Sequence, residues 1–304
     1  MKLDIISIGE LLIDFISTDG GATFKRAAGG APANVAVACS RLGLKSGFIG
    51  KVGDDGFGRF LRGTLEGEGV DVSRVYPSRR AGTTLAFVWV DKDGERRFQF
   101  RRGADALLAL DDVDDGYVGG SNVFHFGSIS LISEPARSAT LKATKAAERN
   151  GITVTYDPNL RLSLWRRGEK ARRWMMAGLK KADVVKLSEE EVRFMFGLGV
   201  EEGAEELLEF TDKAFISLGR RGCYYADGDS RGYSEPYKVE VRDTTGAGDG
   251  FMGGVICGIL KGWGMGKIAS FANAVGALTA SRLGGIPSLP TSEEVLRLLN
   301  QHEG

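Results

Sequence analysis

The sequence predicts an α/β fold with a mostly parallel central sheet. Short apolar segments of strand length alternate with amphipathic segments of helix length, which is the pattern of strand–helix–strand units. Glycine is abundant as well, at 44 of 304 residues, about twice its usual share. This excess indicates many tight turns and close backbone approaches. The segments that we interpret as strands are residues 4–8, 47–49, 122–126, 153–156, 184–187 and 214–218.

The helices between these strands carry their own start and stop signals. Pro32 lies where the first turn of a helix tolerates proline, and Gly43 marks the end of the same segment. Ser188 followed by Glu191 matches a capping box. Residues 252–260 form an apolar segment that is long enough for a buried helix.

Two segments, residues 13–24 and about 83–102, do not fit the alternation of strands and helices. Leu85, Phe87 and Trp89 alternate with other residues, and residues 91–94 supply a hairpin turn. We expect these insertions to form a small antiparallel β lid over one edge of a single domain that spans residues 1–304. An ordinary surface hairpin is the alternative.

Composition excludes several classes of protein. Lys plus Arg and Asp plus Glu both number 40, so the zero net charge argues against nucleic acid as the main partner. Three scattered cysteines are too few for a disulfide framework or a zinc cluster and favour a cytoplasmic protein. The chain start is too polar for a signal peptide, and the longest uncharged apolar stretch is half a membrane span.

His125, in an apolar segment, and His302, near the end, are not expected to be catalytic.

Polar residues gather where the predicted strands end. Residues 9–14 follow the first strand, residues 157–159 the fourth, residues 186–188 end the fifth, and Gly219 follows the sixth. The carboxyl ends of parallel strands meet at one edge of the sheet, where ligands bind. We therefore expect one site at this edge.

The strongest local signal is the segment 243–251, Asp-Thr-Thr-Gly-Ala-Gly-Asp-Gly-Phe, which precedes the apolar helix. Its glycines free successive N–H groups to point at one anion, and the helix dipole adds positive charge. Asp249 would lie in the first turn of that helix, where a carboxylate suits a general base. An N-capping aspartate after a glycine turn is the alternative. Neither a P-loop nor a Gly-x-Gly-x-x-Gly after the first strand is present.

A second glycine pair occurs in residues 28–36, just before a predicted helix. Gly29 and Gly30 would let a polyhydroxyl ligand approach the main chain. Asn34 offers donors and an acceptor to hydroxyl groups. A sugar fits such a surface, and a plain turn into a helix explains the pattern about equally well.

Together, segments 28–36 and 243–251 resemble the two signature motifs of the ribokinase family of sugar kinases, also called the PfkB family. Residues 50–58 and 271–274 are also similar to family segments, so the resemblance covers nearly the whole chain. Residues 29–34 and 156–161, with Leu164 and Trp165 after them, look most like fructokinases. The resemblance implies a three-layer α/β/α sandwich, ribokinase-like, with a mostly parallel central sheet and a β lid.

The resemblance also implies roles for individual residues. Asp249 is similar to the catalytic base of the family. The turn that is similar to its anion hole consists of Gly246, Ala247 and Gly248. The positions that match sugar-binding residues are Asp14, Gly29, Gly30 and Asn34. The positions that match the nucleotide side are Gly219, Gly222 and Asn273.

One motif departs from the family pattern. Glu191 aligns with the acidic end of the Asn-x-x-Glu motif, which organises Mg2+ through water, but Ser188 replaces the asparagine. The capping box explains these two residues equally well, so both interpretations stay open. Lys186 is then a candidate contact to ATP phosphates, as in fructokinase-like members. Mg2+ would arrive with ATP, and the loop near Asp243 makes K+ a further candidate cofactor.

The lid segment carries a second departure, because arginine stands where tyrosine is usual in related kinases. Arg101 or Arg102, together with Arg161, could bind a carboxylate or a phosphate as bidentate partners. We therefore place Arg101 and Arg161 among the candidate substrate contacts. Solvent-exposed charge on the lid is the alternative.

These features predict an ATP-dependent kinase that phosphorylates the terminal hydroxyl of fructose to give fructose 6-phosphate. Alternatives within the family are a 2-keto-3-deoxygluconate kinase and a nucleoside or aminoimidazole riboside kinase. A non-catalytic sugar-binding regulator is an alternative of another class. The expected partners are ATP and a small sugar, without nucleic acid or membrane, and a homodimer through the lid is a candidate assembly.

Overall fold

A computed structural model of the chain describes residues 2–17, 19–90, 96–165 and 167–302. The strands within these residues are β1 (Ile5–Ile8), β2 (Leu12–Ser17), β3 (Lys25–Gly29), β4 (Ser46–Gly53), β5 (Asp71–Ser78), β6 (Leu85–Val90), β7 (Arg96–Arg101), β8 (Val123–Phe126), β9 (Thr153–Tyr156), β10 (Val184–Ser188), β11 (Lys213–Ser217), β12 (Cys223–Asp227) and β13 (Arg231–Ser234). The helices are α1 (Ala31–Arg41), α2 (Gly56–Gly67), α3 (Asp115–Gly119), α4 (Ala136–Arg149), α5 (Gly168–Leu179), α6 (Glu189–Phe196), α7 (Val200–Leu208), α8 (Ala247–Leu260), α9 (Met265–Ala280) and α10 (Ser292–His302).

The central sheet of the described residues has nine strands in the order β13-β12-β11-β10-β9-β8-β1-β4-β5. Neighbouring strands are parallel apart from β12, which runs antiparallel to both β11 and β13. All six predicted strands are present, and the mostly parallel sheet is confirmed. Three further strands, β5, β12 and β13, were not predicted, and they lie at the two ends of the sheet. Edge strands keep partly exposed residues, as β5 and β13 do, so they carry no continuous apolar run.

The order of the strands explains where the site forms. β1 lies between β8 and β4, and the chain moves outward from β1 in both directions. In open parallel sheets, ligands bind at such a reversal, outside the carboxyl ends of the strands. The loops after β1 and β9, together with the end of β10, therefore face one crevice.

Helices cover both faces of the central sheet, as in the predicted three-layer sandwich. On one face, α4 packs closely through small residues, including Ala139, Ala143 and Ala146. On the other face, α8 is buried between α1 and α9. A side chain at Gly253 would collide with Ala38 of α1, and one at Gly254 would collide with Ala272 of α9. Because these contacts fix α8 on both sides, its N-terminus is held rigidly beside the crevice.

A second sheet, the lid sheet, consists of β2, β3, β6 and β7 in the order β3-β2-β6-β7. Its strands include Lys25–Gly29, which the predicted segments 13–24 and 83–102 left out. The sheet is also not purely antiparallel, because β2 and β6 pair in parallel. These two strands come from separate passages of the chain, so no hairpin sets their direction. The predicted turn at residues 91–94 lies outside the described residues.

Local signals in the sequence hold in the structure. Helix α1 has proline in its first turn, and the capping box between Ser188 and Glu191 is present at the start of α6. His125 is buried in β8, as expected, and burial with a smaller effect of Lys186 lowers its pKa to about 3. Its imidazole is therefore neutral. None of the helices described is both long and apolar enough to cross a membrane.

Candidate active site

A cavity of about 290 Å3, cavity A, lies beyond the carboxyl ends of the central strands. The loops after β1, β3 and β9 and the N-terminus of α8 contribute to its wall, together with residues of the lid sheet. Its polar wall is formed by Glu10, Asp14, Asn34, Asn159, Arg161, Lys186 and Asp249. The structure therefore brings residues from distant parts of the chain to the predicted edge of the sheet.

Asp249 lies in the first turn of α8 and faces cavity A. Its Oδ2 accepts a hydrogen bond from Asn34 Nδ2 at 2.7 Å, and its Oδ1 accepts one from Asn159 Nδ2 at 3.1 Å. The residue at the N-cap of α8 is Gly246, so Asp249 is not the capping residue that the alternative required. Burial raises the pKa of Asp249, opposed by the Asn34 hydrogen bond and by the charges of Lys186 and Arg161. A carboxylate with a raised pKa is a better proton acceptor.

The turn before α8 leaves backbone N–H groups available for an anion. Gly246 adopts a positive φ of 78°, which orients the first turn of the helix. The N–H of Ala247 already donates to the carbonyl of Thr244 at 3.2 Å. Among the described residues, the N–H groups of Gly246 and Gly248 have no backbone acceptor outside the helix. Two of the three predicted amides are therefore free to bind an anion at the positive end of the helix dipole.

A buried cation lies against this turn. A Cβ on Gly248 would stand only 3.0 Å from Lys186 Nζ. The ammonium pairs with Asp157 Oδ2 at 2.9 Å, and both side chains are buried. Burial disfavours the charged ammonium, but the nearby carboxylates of Asp157 and Glu191 outweigh it and raise the pKa of Lys186. The turn thus combines free amides, a helix dipole and a fixed positive charge.

Three of the predicted sugar positions, Asp14, Gly30 and Asn34, line cavity A. The carboxylate of Asp14 occupies the space that a Cβ at Gly29 would need. Gly30 has a positive φ of 116° and passes close to the carbonyl of Glu10. Asn34 Oδ1 is buried and has no hydrogen-bond partner among the described residues. A buried acceptor of this kind is satisfied when a ligand hydroxyl donates to it.

The structure separates the predicted arginines. Arg161 lines cavity A and donates to the Leu160 carbonyl at 3.2 Å. Arg101 is exposed at the end of β7 and does not line cavity A, where Phe100 stands instead. Arg102 pairs with the buried carboxylate of Asp105 and so stabilises the base of the lid sheet. Exposed charge on the lid is therefore the better description of Arg101, because strand alternation turns it away when Phe100 faces the cavity.

A larger cavity of about 500 Å3, cavity B, adjoins cavity A and shares Thr244 and Gly248 with it. The predicted nucleotide positions Gly219, Gly222 and Asn273 all line cavity B. A side chain at Gly222 would collide with the carbonyl of Ser234. Asn273 donates to that carbonyl at 3.0 Å and to the carbonyl of Glu235 at 3.1 Å, so it holds the wall of the cavity. Lys186 lines cavity A rather than cavity B, at the shared turn.

Glu191 is buried and serves the main chain. Its Oε1 accepts from the N–H of Leu160 at 2.6 Å, and its Oε2 accepts from the N–H of Ser188 at 2.8 Å. Together with residues such as Ser188 and Arg161, it lines a third cavity of about 420 Å3 beside cavity A. Within the described residues no group of three or more His, Cys, Asp or Glu side chains could hold a metal ion. The protein residues described therefore form no metal cage.

Sequence reasoning missed two polar residues of cavity A. Glu10 follows β1 and Asn159 follows β9, and both belong to the polar segments at the strand ends. Their position after a buried strand was the available signal. Glu10 is 2 % exposed, and its Oε1 accepts from the N–H of Ala31 at 3.0 Å. Burial is the main cause that raises the pKa of Glu10 to about 7.

Comparisons with known proteins agree with this geometry. The profile described as pfkB family carbohydrate kinase matches residues 2–292. Fructokinase-1 of Zea mays is 44% identical over 315 residues, which cover 98% of each chain. The crystal structure of fructokinase with bound ATP from Xylella fastidiosa has a TM-score of 0.93 at 31% identity, with 100% of both chains covered. A fructokinase double mutant from Vibrio cholerae O395, in its fructose, ADP and potassium ion bound form, has a TM-score of 0.87 at 32% identity, with 98% of this chain and 99% of that chain covered.

These matches confirm the predicted resemblance and the sandwich with its lid. They cover nearly the full length of the chain and of its relatives. The chain belongs to the pfkB family of carbohydrate kinases and is a sugar phosphotransferase.

Proposed function

We propose that this protein is an ATP-dependent fructokinase that transfers the γ-phosphoryl group of ATP to the terminal hydroxyl of fructose. Cavity A would hold the sugar and cavity B the nucleotide. The observation that carries the proposal is the turn that the two cavities share. Gly248 lines both cavities, and Asp249 lines cavity A. The fructokinases among its relatives, one with bound ATP and one with fructose and ADP, support the choice of both substrates.

In the proposed reaction, Asp249 takes the proton from the terminal hydroxyl of the sugar. The oxygen attacks the γ-phosphorus, a new oxygen–phosphorus bond forms, and the bond to the β,γ-bridging oxygen breaks so that ADP leaves with the electron pair. The N–H groups of Gly246 and Gly248 and the ammonium of Lys186 stabilise charge on the transferring group. Phosphoryl transfer depends mainly on such positioning and electrostatics, and one preorganised donor is worth about a hundredfold or more in rate.

The predicted sugar positions in the wall of cavity A would contact the hydroxyl groups of the substrate. Asp14 accepts from one hydroxyl, Asn34 Oδ1 from another, and the main chain at Gly30 lies within reach of the ligand. Asp14 and Phe100 belong to the lid sheet, so closure of this sheet over the sugar would exclude water. Water would otherwise compete as the acceptor and weaken the electrostatics.

Metal ions enter the proposal with the substrate. Mg2+ keeps most of its waters and binds through nucleotide phosphates, which suits a chain whose described residues offer no cage. A water-mediated contact between Mg2+ and Glu191 stays a proposal, and no step above uses it.

K+ is proposed beside the loop of Asp243, whose buried carboxylate accepts from the N–H groups of Thr245 and Gly284. Titrating activity with K+ against Na+ tests this requirement.

A coupled ADP-release screen over fructose, ribose, 2-keto-3-deoxygluconate and nucleosides tests the substrate. We expect kcat/KM for fructose to exceed that of the others by about tenfold or more. Arg161 in the wall of cavity A is the observation that favours the second candidate, 2-keto-3-deoxygluconate, because guanidinium groups bind carboxylates. A higher kcat/KM for that acid would replace fructose as the proposed substrate. If none of the sugars or nucleosides causes ADP release, the result would support a non-catalytic regulator instead.

Two further properties belong to this proposal. The three buried thiols are unpaired, which suits the reducing cytoplasm where we place the enzyme. A homodimer through the lid sheet is proposed as well. Light scattering at micromolar concentration tests it, and a strict monomer would remove it.

A further inference from the structure

The carboxylate of Asp249 is held by amide groups from two distant parts of the chain. Asn34 Nδ2 donates to Oδ2 at 2.7 Å, and Asn159 Nδ2 donates to Oδ1 at 3.1 Å. Asn34 comes from α1, whereas Asn159 comes from the loop after β9. Each oxygen of the carboxylate therefore has one fixed donor, and these two donors define the plane of the group.

The backbone of Asn159 adopts a conformation that few residues tolerate. Its φ is +48°, and Asn159 is the one residue other than glycine with a positive φ in the described part of the chain. The left-handed conformation is sterically unfavourable for most residues with a side chain, and asparagine adopts it more readily than most. Such residues cluster at functional sites, so the contacts that impose this conformation need to be identified.

Buried acidic groups fix the backbone on both sides of Asn159. Its own N–H donates to Asp157 Oδ1 at 3.1 Å, while Asp157 Oδ2 pairs with Lys186 Nζ at 2.9 Å. The next N–H, that of Leu160, donates to Glu191 Oε1 at 2.6 Å. Glu191 is itself fixed to the start of α6 by the capping box. With its backbone held in this way, the side chain of Asn159 reaches Asp249.

We infer that Asn159 is a positioning residue for Asp249, and that Asp157 and Glu191 act through it by holding its left-handed backbone. The inference rests on the proposed function, because orienting Asp249 affects turnover only if Asp249 is the base. The amide of Asn159 donates to Oδ1, and together with Asn34 it fixes the plane of the carboxylate beside cavity A, where the sugar hydroxyl would lie. Hydrogen bonds to the charged form of a carboxyl lower its pKa, so Asn159 also favours the form that accepts a proton.

The substitution Asn159→Gly separates the side chain from the backbone. Glycine adopts a φ of +48° without strain, so this variant removes the amide and keeps the loop. We expect kcat to fall about tenfold to a hundredfold, with KM for sugar and for ATP within about threefold of wild type. The acidic limb of the kcat–pH profile should move to higher pH, because the base loses a donor to its ionised form. Asn150→Gly, at the opposite end of β9 and away from cavity A, is the matched control and should leave kcat and the profile unchanged.

The substitution Asn159→Asp provides a second measurement, because its carboxylate would face that of Asp249 and raise the pKa of the base further than glycine does. If Asn159→Gly keeps the wild-type kcat and pH profile, or raises KM alone, the inference is overturned. The substitution Asp249→Asn keeps that failure distinct from failure of the proposed function. Loss of turnover in Asp249→Asn with a normal Asn159→Gly rejects only the positioning role, whereas turnover retained in Asp249→Asn rejects the base itself.

Discussion

The carboxylate of Asp14 fills the space above Gly29 that any larger residue would require. Asp14 lies on β2, and Gly29 ends the neighbouring antiparallel strand β3. The backbone φ of Gly29 is not in the left-handed region, so the glycine serves to make room rather than to turn the chain. The absence of a side chain at position 29 therefore positions a polar group on the wall of cavity A.

Replacing Gly29 with alanine should displace the carboxylate of Asp14 and weaken sugar binding. We expect KM for the sugar to rise about tenfold while KM for ATP stays near its wild-type value, since cavity B is not touched. Steady-state kinetics with each substrate varied in turn measures both. Gly63→Ala, in a part of α2 with open space around it, is the control, and equal kinetics in the two variants would contradict the steric role of Gly29.

Asp249→Asn keeps the shape of the side chain and removes the proton acceptor. Turnover should fall about a thousandfold, while calorimetric binding of a non-hydrolysable ATP analogue should be largely retained because cavity B is intact. Near-wild-type turnover in this variant would reject Asp249 as the base.

Stability should depend on pH through Glu10. Burial raises the pKa of this carboxyl from its ordinary value of 4.5 to about 7, so between these values the folded chain keeps a proton that the unfolded chain has lost. The contribution of Glu10 to the free energy of unfolding should therefore fall by about 3 kcal/mol as pH rises through that window. Glu10→Gln can still accept from the Ala31 N–H but carries no such proton. Urea unfolding from pH 4.5 to 7.5 should show the wild-type curve declining relative to that of Glu10→Gln, and parallel curves would refute this account.

Removing the cation of the buried pair should affect stability and turnover separately. Lys186→Met leaves the buried carboxylate of Asp157 without its partner, and breaking a buried pair costs about 3–5 kcal/mol. The double variant Lys186→Met/Asp157→Asn should recover most of the lost stability in chemical unfolding experiments. Its turnover should stay low, because the positive charge beside Gly248 is still missing. Recovery of both properties would mean that Lys186 is needed for folding alone.

Much of this architecture could be predicted because it depends on local pattern. The six predicted strands are short, mostly apolar segments, and the glycine turn before α8 places Asp249 in the first turn of that helix. The pairing of β2 with β6 could not be predicted, since residues about seventy positions apart carry no local signal of relative direction. The contact between Asn159 and Asp249 was hidden for the same reason, and it also depends on a backbone conformation that Asp157 and Glu191 impose from outside the loop. The mixed pattern of β5 and β13 reflects partial exposure at the sheet edges.

The chain enters the lid sheet twice and leaves it twice, through connections after β1, before α1, after β5 and after β7. A lid connected by a single hinge can rotate freely. The lid sheet has four connections to the rest of the chain, so it can only tilt as one rigid body. Because the connections after β1 and before α1 carry Glu10 and Gly30, any tilt is transmitted directly to the ligand-facing wall. Lengthening one of these two connections should uncouple movement of the lid sheet from the wall of cavity A without disturbing either sheet.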